Sequence, residues 1–311
     1  MAQSTFFATF MGCMVKEAFA ATKKGSVLGM SSKGIYLQVG PYVMFITDAP
    51  YKSPFNIYVT GFNRLLDSLQ QGEHFEVTSE AMCFKDSGAR ILIDKVETWT
   101  PCPPLAIDTS QATRKKRVML LLDDIVEIDP HKGWLFLYTE CDREEASRDF
   151  IKQRIWEGTQ KFTEGYRKNE LPQCLDAAGS LIGLGGGLTP SGDDWLAGFF
   201  LYLERFSLAG NSRPDFLQDL GNALQDLVFQ KTTTISANRI MAARRGWAEE
   251  PFLDVIDTLF SEEGQFDPEL AGLLVQFGHS SGVDTLIGIS AAINCAIKKN
   301  REPGTALYFE L

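Results

Sequence analysis

The chain reads as an α+β protein: a β-rich, barrel- or sandwich-like domain over residues 1–140, then an all-α domain over residues 141–311. Three observations predict this. The first part is built of short runs rich in Val, Ile, Phe and Tyr, separated by Gly, Pro, Asp and Ser. From Asp142 onward the apolar period becomes helical. Between them stands Pro101-Cys102-Pro103-Pro104, and proline cannot continue a strand ladder. A length of 311 residues is long for one core and comfortable for two.

The elements follow in order. Phe7, Phe10, Met11, Met14 and Val15 fit one helical face and predict a packed N-terminal helix. No Lys or Arg precedes this apolar run, and Lys16-Glu17 separates it from Ala18-Phe19-Ala20, so it is not read as a signal peptide. Strands are expected at Val27–Met30, Ile35–Val39, Val43–Thr47, Phe55–Thr60, Phe75–Thr78, Met82–Phe84 and Ala89–Ile93. Ser32-Lys33-Gly34 and Lys85-Asp86-Ser87-Gly88 read as hairpin turns, and Arg64–Gln71 as a helical insertion. Between Gln111 and Glu127 the pattern fits a helix or a strand, and a helix is preferred. Its cluster Arg114-Lys115-Lys116-Arg117 fits either a solvated helix turn or an anion or partner contact. Phe150, Ile151, Ile155, Trp156, Phe162 and Tyr166 then mark a long amphipathic helix. Further helices are expected at Leu171–Leu184, Pro190–Leu208, Leu217–Phe229, Ser236–Arg245, Phe252–Phe260, Pro268–Phe277 and Gly282–Lys299.

Composition narrows the function classes. Hydrophobic content of 44% and charged content of 23% are those of an ordinary globular protein. A net charge of −10 argues against nucleic acid or an anionic membrane as the main partner, but not against one small anion. Cys13, Cys83, Cys102, Cys141, Cys174 and Cys295 are scattered without Cys-x-x-Cys pairs, which fits free thiols in a reducing cytoplasm and not a zinc site. With only His74, His131 and His279, a His-rich metal site is excluded. No segment is long enough to span a membrane.

The chemistry concentrates in two related segments. Gly183-Leu184-Gly185-Gly186-Gly187-Leu188-Thr189-Pro190-Ser191-Gly192-Asp193-Asp194-Trp195-Leu196-Ala197-Gly198 opens one helix, and Ser281-Gly282-Val283-Asp284-Thr285-Leu286-Ile287-Gly288 opens another. Both contain Ser-Gly-x-Asp-x-Leu-x-Gly, 90 residues apart. Ser191-x-x-Asp194 and Ser281-x-x-Asp284 fit capping boxes, and Asp193 and Asp194 suit the positive end of a helix dipole. Capping does not require Gly185, Gly186 and Gly187, whose successive amides could cradle an anion. Nor does it require Gly198 and Gly288, because a glycine inside a helix implies close approach of a backbone or ligand. No Walker A lysine follows the run, and it follows a helix where a dinucleotide fingerprint would follow a strand. Two carboxylates beside an anion nest call for a bridging cation, so Mg²⁺ on Asp193 and Asp194 stands beside simple capping as a reading. In Lys231-Thr232-Thr233-Thr234-Ile235-Ser236-Ala237-Asn238-Arg239, Thr234 or Ser236 is the expected N-cap, which leaves hydroxyls such as Thr233 to spare. His279, beside Ser280, Ser281 and Asp284, fits a structural turn or a general acid/base.

Together Thr189-Pro190-Ser191-Gly192-Asp193-Asp194, Thr233–Ser236 and Gly278-His279-Ser280-Ser281-Gly282-Val283-Asp284 resemble a bacterial family first filed as putative carboxylases. That family includes the small subunit of the oxamate carbamoyltransferase of anaerobic allantoin breakdown. Asp48-Ala49-Pro50 and Pro54-Phe55-Asn56-Ile57 are also similar, so the resemblance covers most of the chain. Gly186 departs from the proline expected in relatives, which loosens the loop and keeps its chemistry. The resemblance implies a cytoplasmic complex that converts oxalurate and phosphate to oxamate and carbamoyl phosphate, or the reverse. Its other members would be an acyl-CoA-synthetase-like chain and a third subunit. The ligands implied are small anions.

Two functions follow as expectations. In one the chain is catalytic. Gly185, Gly186 and Gly187 hold a phosphate or carbamoyl oxygen. Thr189, Ser191, Gly192, Thr233, Thr234, Ser236, Ser280 and Ser281 complete the anion site, Asp194 and Asp284 orient Mg²⁺ or the substrate amine, and His279 moves a proton. In the other it is a non-catalytic anion-binding or assembly subunit, and the paired helix starts are architecture. If Asp193, Asp194, His279 and Asp284 line an open pocket, the first is favoured; if local amides consume them, the second. The β-rich half is expected to be a docking surface.

Overall fold

The computed structural model describes residues 4–49, 51–139, 149–210 and 213–296. Pro50, Cys141, Asp142 and the end of the last expected helix (297–299) lie outside the described residues. Nine strands are described: β1 (Thr5–Gly12), β2 (Lys24–Ser31), β3 (Gly34–Val39), β4 (Tyr42–Thr47), β5 (Asn56–Thr60), β6 (His74–Val77), β7 (Ala81–Phe84), β8 (Arg90–Leu92) and β9 (Glu97–Trp99). The first eight run β5-β4-β3-β2-β6-β7-β8-β1, and β1 pairs back onto β5, so the sheet closes into an eight-stranded barrel. Strand β9 adds beside β1 in parallel, with Phe10–Gly12 opposite Glu97–Trp99. The hairpin turns sit where expected, between β2 and β3 and between β7 and β8.

The N-terminus corrects the expected helix. Residues 5–12 form β1, and only Cys13–Ala21 is helical (α1). Phe6 is buried while Phe7 is 57% exposed, which is the two-residue alternation of a strand. Barrel closure decides the matter: without β1, both β5 and β8 would be open edges. Gly12 makes the strand-to-helix corner, where a Cβ would lie 2.1 Å from the Pro54 carbonyl oxygen. Inside the barrel, Val27, Ile35, Leu37, Met44, Ile57 and Phe75 share one core with Val15 and Phe19 of α1 and with Leu65 of α2 (Phe62–Ser68).

The remaining helices are α3 (Gln111–Ile128), α4 (Phe150–Lys168), α5 (Leu171–Leu181), α6 (Ser191–Leu208), α7 (Asp215–Lys231), α8 (Thr234–Ala243), α9 (Glu250–Phe260), α10 (Leu270–Gln276) and α11 (Ser281–Cys295). They surround a second core centred on Trp195, Phe199, Phe162 and Leu286. Helix α3 packs into this core through Val118, Leu121, Leu122 and Ile125. Its basic cluster is partly structural. Arg114 is buried and donates to the Thr109 carbonyl, and Arg117 donates to the carbonyls of Thr258 and Ser261 at the end of α9. Arg117 thereby satisfies orphan carbonyls at the negative dipole end of α9. No described helix is long and apolar enough to cross a membrane.

Helices α6 and α11 form the most intimate contact in the protein. A Cβ on Gly198 would sit 2.0 Å from the Thr285 carbonyl oxygen, and one on Gly288 would sit 2.0 Å from that of Trp195. The 90-residue offset relates both pairs, so the helices cross through one another's glycines in a two-fold manner. This crossing accounts for both glycines by backbone approach, with no ligand required.

Candidate functional site

The crossing brings both helix starts to one place. The Ser281 and Thr189 hydroxyls lie 2.7 Å apart, and those of Ser191 and Ser280 3.5 Å apart. The expected capping boxes are not formed. Pro190 and Ser280 occupy the cap positions, and neither supplies a side-chain cap bond. Ser191 and Ser281 are the first helical residues, and their hydroxyls reach across the junction. Gly192 and Gly282 let each first turn press on a neighbouring helix end, since a Cβ would lie 2.0 Å from the carbonyl oxygens of Leu181 and Leu274 respectively.

The three carboxylates have separate fates. Asp193 is buried and fully engaged: Gly183 N–H donates to Oδ1 at 2.9 Å, and the Thr232 hydroxyl to Oδ2. Asp194 is paired through Oδ1 to Arg239, while its buried Oδ2 has no hydrogen-bond partner among the described residues. Asp284 accepts the Trp134 amide at 2.6 Å through Oδ1, and its Oδ2 is likewise unpartnered. Gly133, at φ +53°, makes room for that contact, because a Cβ would lie 2.3 Å from Asp284 Oδ1. Burial pushes Asp194 up to about 8; Arg239 opposes this, and Asp284 and Asp193 add to it. Burial likewise raises Asp284 and Asp193.

Mg²⁺ on Asp193 and Asp194 is a poor fit to these partners. At Asp193 a cation would have to displace Gly183 and Thr232, at Asp194 it would sit against the Arg239 charge, and no cluster of three or more His, Cys, Asp or Glu suited to a metal occurs among the described residues.

A cleft of about 490 Å³ opens where the helix starts meet the barrel. Thr189, Ser281 and Arg239 line its helical side, and Lys33, Tyr51 and Asn56 its barrel side. Arg239, from α8, is its most constrained cation. It bonds Asp194 behind it and Glu249 beside it at 3.1 Å, and its guanidinium lies 5.8 Å from the Phe277 ring and 6.0 Å from that of Phe252. Burial disfavours its charge, but Glu249 and Asp194 more than offset that and hold its pKa above the ordinary value. Tyr51 packs on Phe277 with centroids 5.1 Å apart, and burial raises its pKa. Burial pushes neighbouring Tyr58 up to about 12.

The expected site residues therefore divide. Thr189 and Ser281 face the cleft. Asp194, Asp284 and Gly192 lie behind its wall, buried. His279 is exposed on the turn before α11. Gly185, Gly186 and Gly187 form an exposed loop next to Thr189, and their amides make no hydrogen bonds among the described residues. Thr233, not Thr234 or Ser236, caps α8: its hydroxyl accepts the Ser236 amide at 3.1 Å and donates to the Leu188 carbonyl at 2.6 Å. Thr234 is the first residue of that helix, and the Ser236 side chain is buried close to Asp193. Arg239, Glu249, Tyr51 and Trp134 are the site neighbours that motif reading passed over. The one available signal was Arg239 closing the hydroxyl-rich segment.

Residues 181–293 match the family model described as oxamate carbamoyltransferase subunit AllH, which bears out the resemblance over that segment. The matched segment contains both helix starts, Arg239 and the helical wall of the cleft, whereas the barrel lies outside it. Nothing among curated proteins or solved structures matches the chain.

Proposed function

We propose that the chain is a working subunit of a carbamoyltransferase complex that interconverts oxalurate plus phosphate and oxamate plus carbamoyl phosphate. The family match supports the subunit assignment. The observation that carries the site is the junction of two helix starts, whose paired hydroxyls Thr189 and Ser281 stand beside a buried guanidinium at the floor of an open cleft. Helix N-termini and a fixed arginine are suited to small carboxylates.

In this reading Arg239 holds the carboxylate of the acyl group, and whichever of the mutually bonded Thr189 and Ser281 hydroxyls keeps its proton free donates to the carbonyl oxygen that gains charge. A phosphate oxygen attacks the carbamoyl carbon, the bond from that carbon to the oxamate nitrogen breaks, and the nitrogen takes a proton. His279, exposed on the turn between the cleft residues Gly278 and Ser281, is the proposed donor of that proton. The unbonded amides of Gly185, Gly186 and Gly187 are the proposed phosphate cradle. Asp194 and Asp284 act indirectly here, by fixing Arg239 and the Trp134 turn. An acyl-CoA-synthetase-like chain and a third subunit are the proposed partners, in the cytoplasm.

One observation favours a second reading, a binding or assembly subunit whose chemistry lies on a partner: Asp193 is wholly engaged by local donors, and Asp194 and Asp284 do not reach solvent. Assaying phosphate-dependent oxalurate cleavage by this chain, alone and with its co-expressed neighbours, tests both. No activity in the reconstituted complex removes the carbamoyltransferase assignment. Wild-type activity with Asp194→Asn and Asp284→Asn together removes the site.

A further inference from the structure

The charges around the cleft favour one kind of occupant. Four charged side chains line it: Lys33 and Asp48 at the exposed rim, Arg239 and Glu249 deeper in. Arg239 is already bonded to Glu249 and to Asp194, and the four lining charges cancel as two cations and two anions. Asp284 and Asp193 add further buried acid behind Asp194. A doubly charged ligand would enter a region with no surplus positive charge. A single carboxylate can still be held. A guanidinium has five N–H groups, and Asp194 and Glu249 engage three nitrogens once each, which leaves two donors.

Shape adds to charge. The guanidinium is fixed in orientation by Phe277 and Phe252, and Tyr51 of the barrel side packs on Phe277 at the same cleft. A ligand in plane with the guanidinium would lie along an aromatic wall, an arrangement suited to flat groups. Asn56, buried on β5 and lining the cleft, offers an amide whose only hydrogen bond among the described residues is a 3.5 Å contact to the Tyr58 hydroxyl. Primary amides pair well with such a side chain.

We propose that this cleft selects a flat, singly charged carboxylate–amide and rejects doubly charged phosphate, with Tyr51 and Asn56 of the barrel as its specificity-determining wall. The barrel is then half of the ligand site. This deepens the proposed function and rests on it for the choice of probe. It also places the phosphate partner elsewhere, at the outer glycine loop or on another subunit.

The test is calorimetric titration of the full chain with oxamate, in the presence and absence of excess inorganic phosphate, with folding of each variant checked by circular dichroism. Saturable oxamate binding that phosphate does not displace is expected. Tyr51→Ala and Asn56→Ala should each weaken it about tenfold, and Tyr51→Phe should retain it. Glu249→Gln should tighten it about tenfold, since one neighbouring charge is worth at least that. Displacement of oxamate by phosphate, absence of oxamate binding, or indifference to Tyr51 and Asn56 in folded variants overturns the assignment. Each can occur while the reconstituted complex still turns over, so its failure is separable from that of the proposed function.

Discussion

The starts of α6 and α11 are two versions of one device, and their differences separate scaffold from chemistry. Both have a first-turn serine, a glycine pressed on a neighbouring helix end, a buried aspartate one turn in, and a glycine at the crossing. Those shared features account for the junction itself. The unshared ones are the loop Gly185–Gly187, Asp193 where the other copy has Val283, and Arg239 on Asp194 where Asp284 accepts the Trp134 amide. Both copies reach the cleft, through Thr189 and Ser281, but the first carries the ion pair to α8. Duplicated features thus report architecture, and asymmetric ones point to function.

The largest expected effect tests the shared part. Gly198→Ala and Gly288→Ala should each destabilise by about 3 kcal/mol or more, because backbone blocks the added methyl on both sides. Chemical denaturation measures this, and a mild loss at either position would end the two-fold description. Asp193→Val, which copies the second start into the first, should cost about 2 kcal/mol by leaving Gly183 N–H and Thr232 without their acceptor. Next is pH. Asp194 is raised to about 8 in the fold and titrates near the ordinary carboxylate value when unfolded, so the folded state binds the extra proton between them. Stability should therefore fall as pH rises from about 4 to about 8, by up to about 5 kcal/mol, with Asp284 acting in the same sense. Asp194→Asn should flatten that slope in thermal melts; an unchanged slope contradicts the assignment. The smallest effects concern the caps. Thr233→Ala should cost about 1 kcal/mol, whereas Ser191→Ala and Gly186→Ala should each stay within about 0.5 kcal/mol.

Much of this was legible in the chain. Alternating Val, Ile and Phe runs gave the strands of the barrel, and the switch to helical period gave the second core. The N-terminal strand escaped because Phe7, Phe10, Met11 and Met14 satisfy a helical face as well, and only closure against β5 and β8 chooses between them. The motif repeat located the junction, since it is local in sequence. It could not show that Ser191 and Ser281 reach across the junction instead of capping, because that depends on the crossing. Arg239 and Tyr51 were illegible for the same reason. They meet Asp194 and Phe277 only through packing of the barrel on the helices.

The most direct test of the central claim is the position of oxamate in a crystal structure of the chain. The expected result is a carboxylate on Arg239, with the amide toward Asn56 and the plane along Tyr51. Oxamate at the Gly185–Gly187 loop, or none in the cleft at saturating concentration, would contradict it.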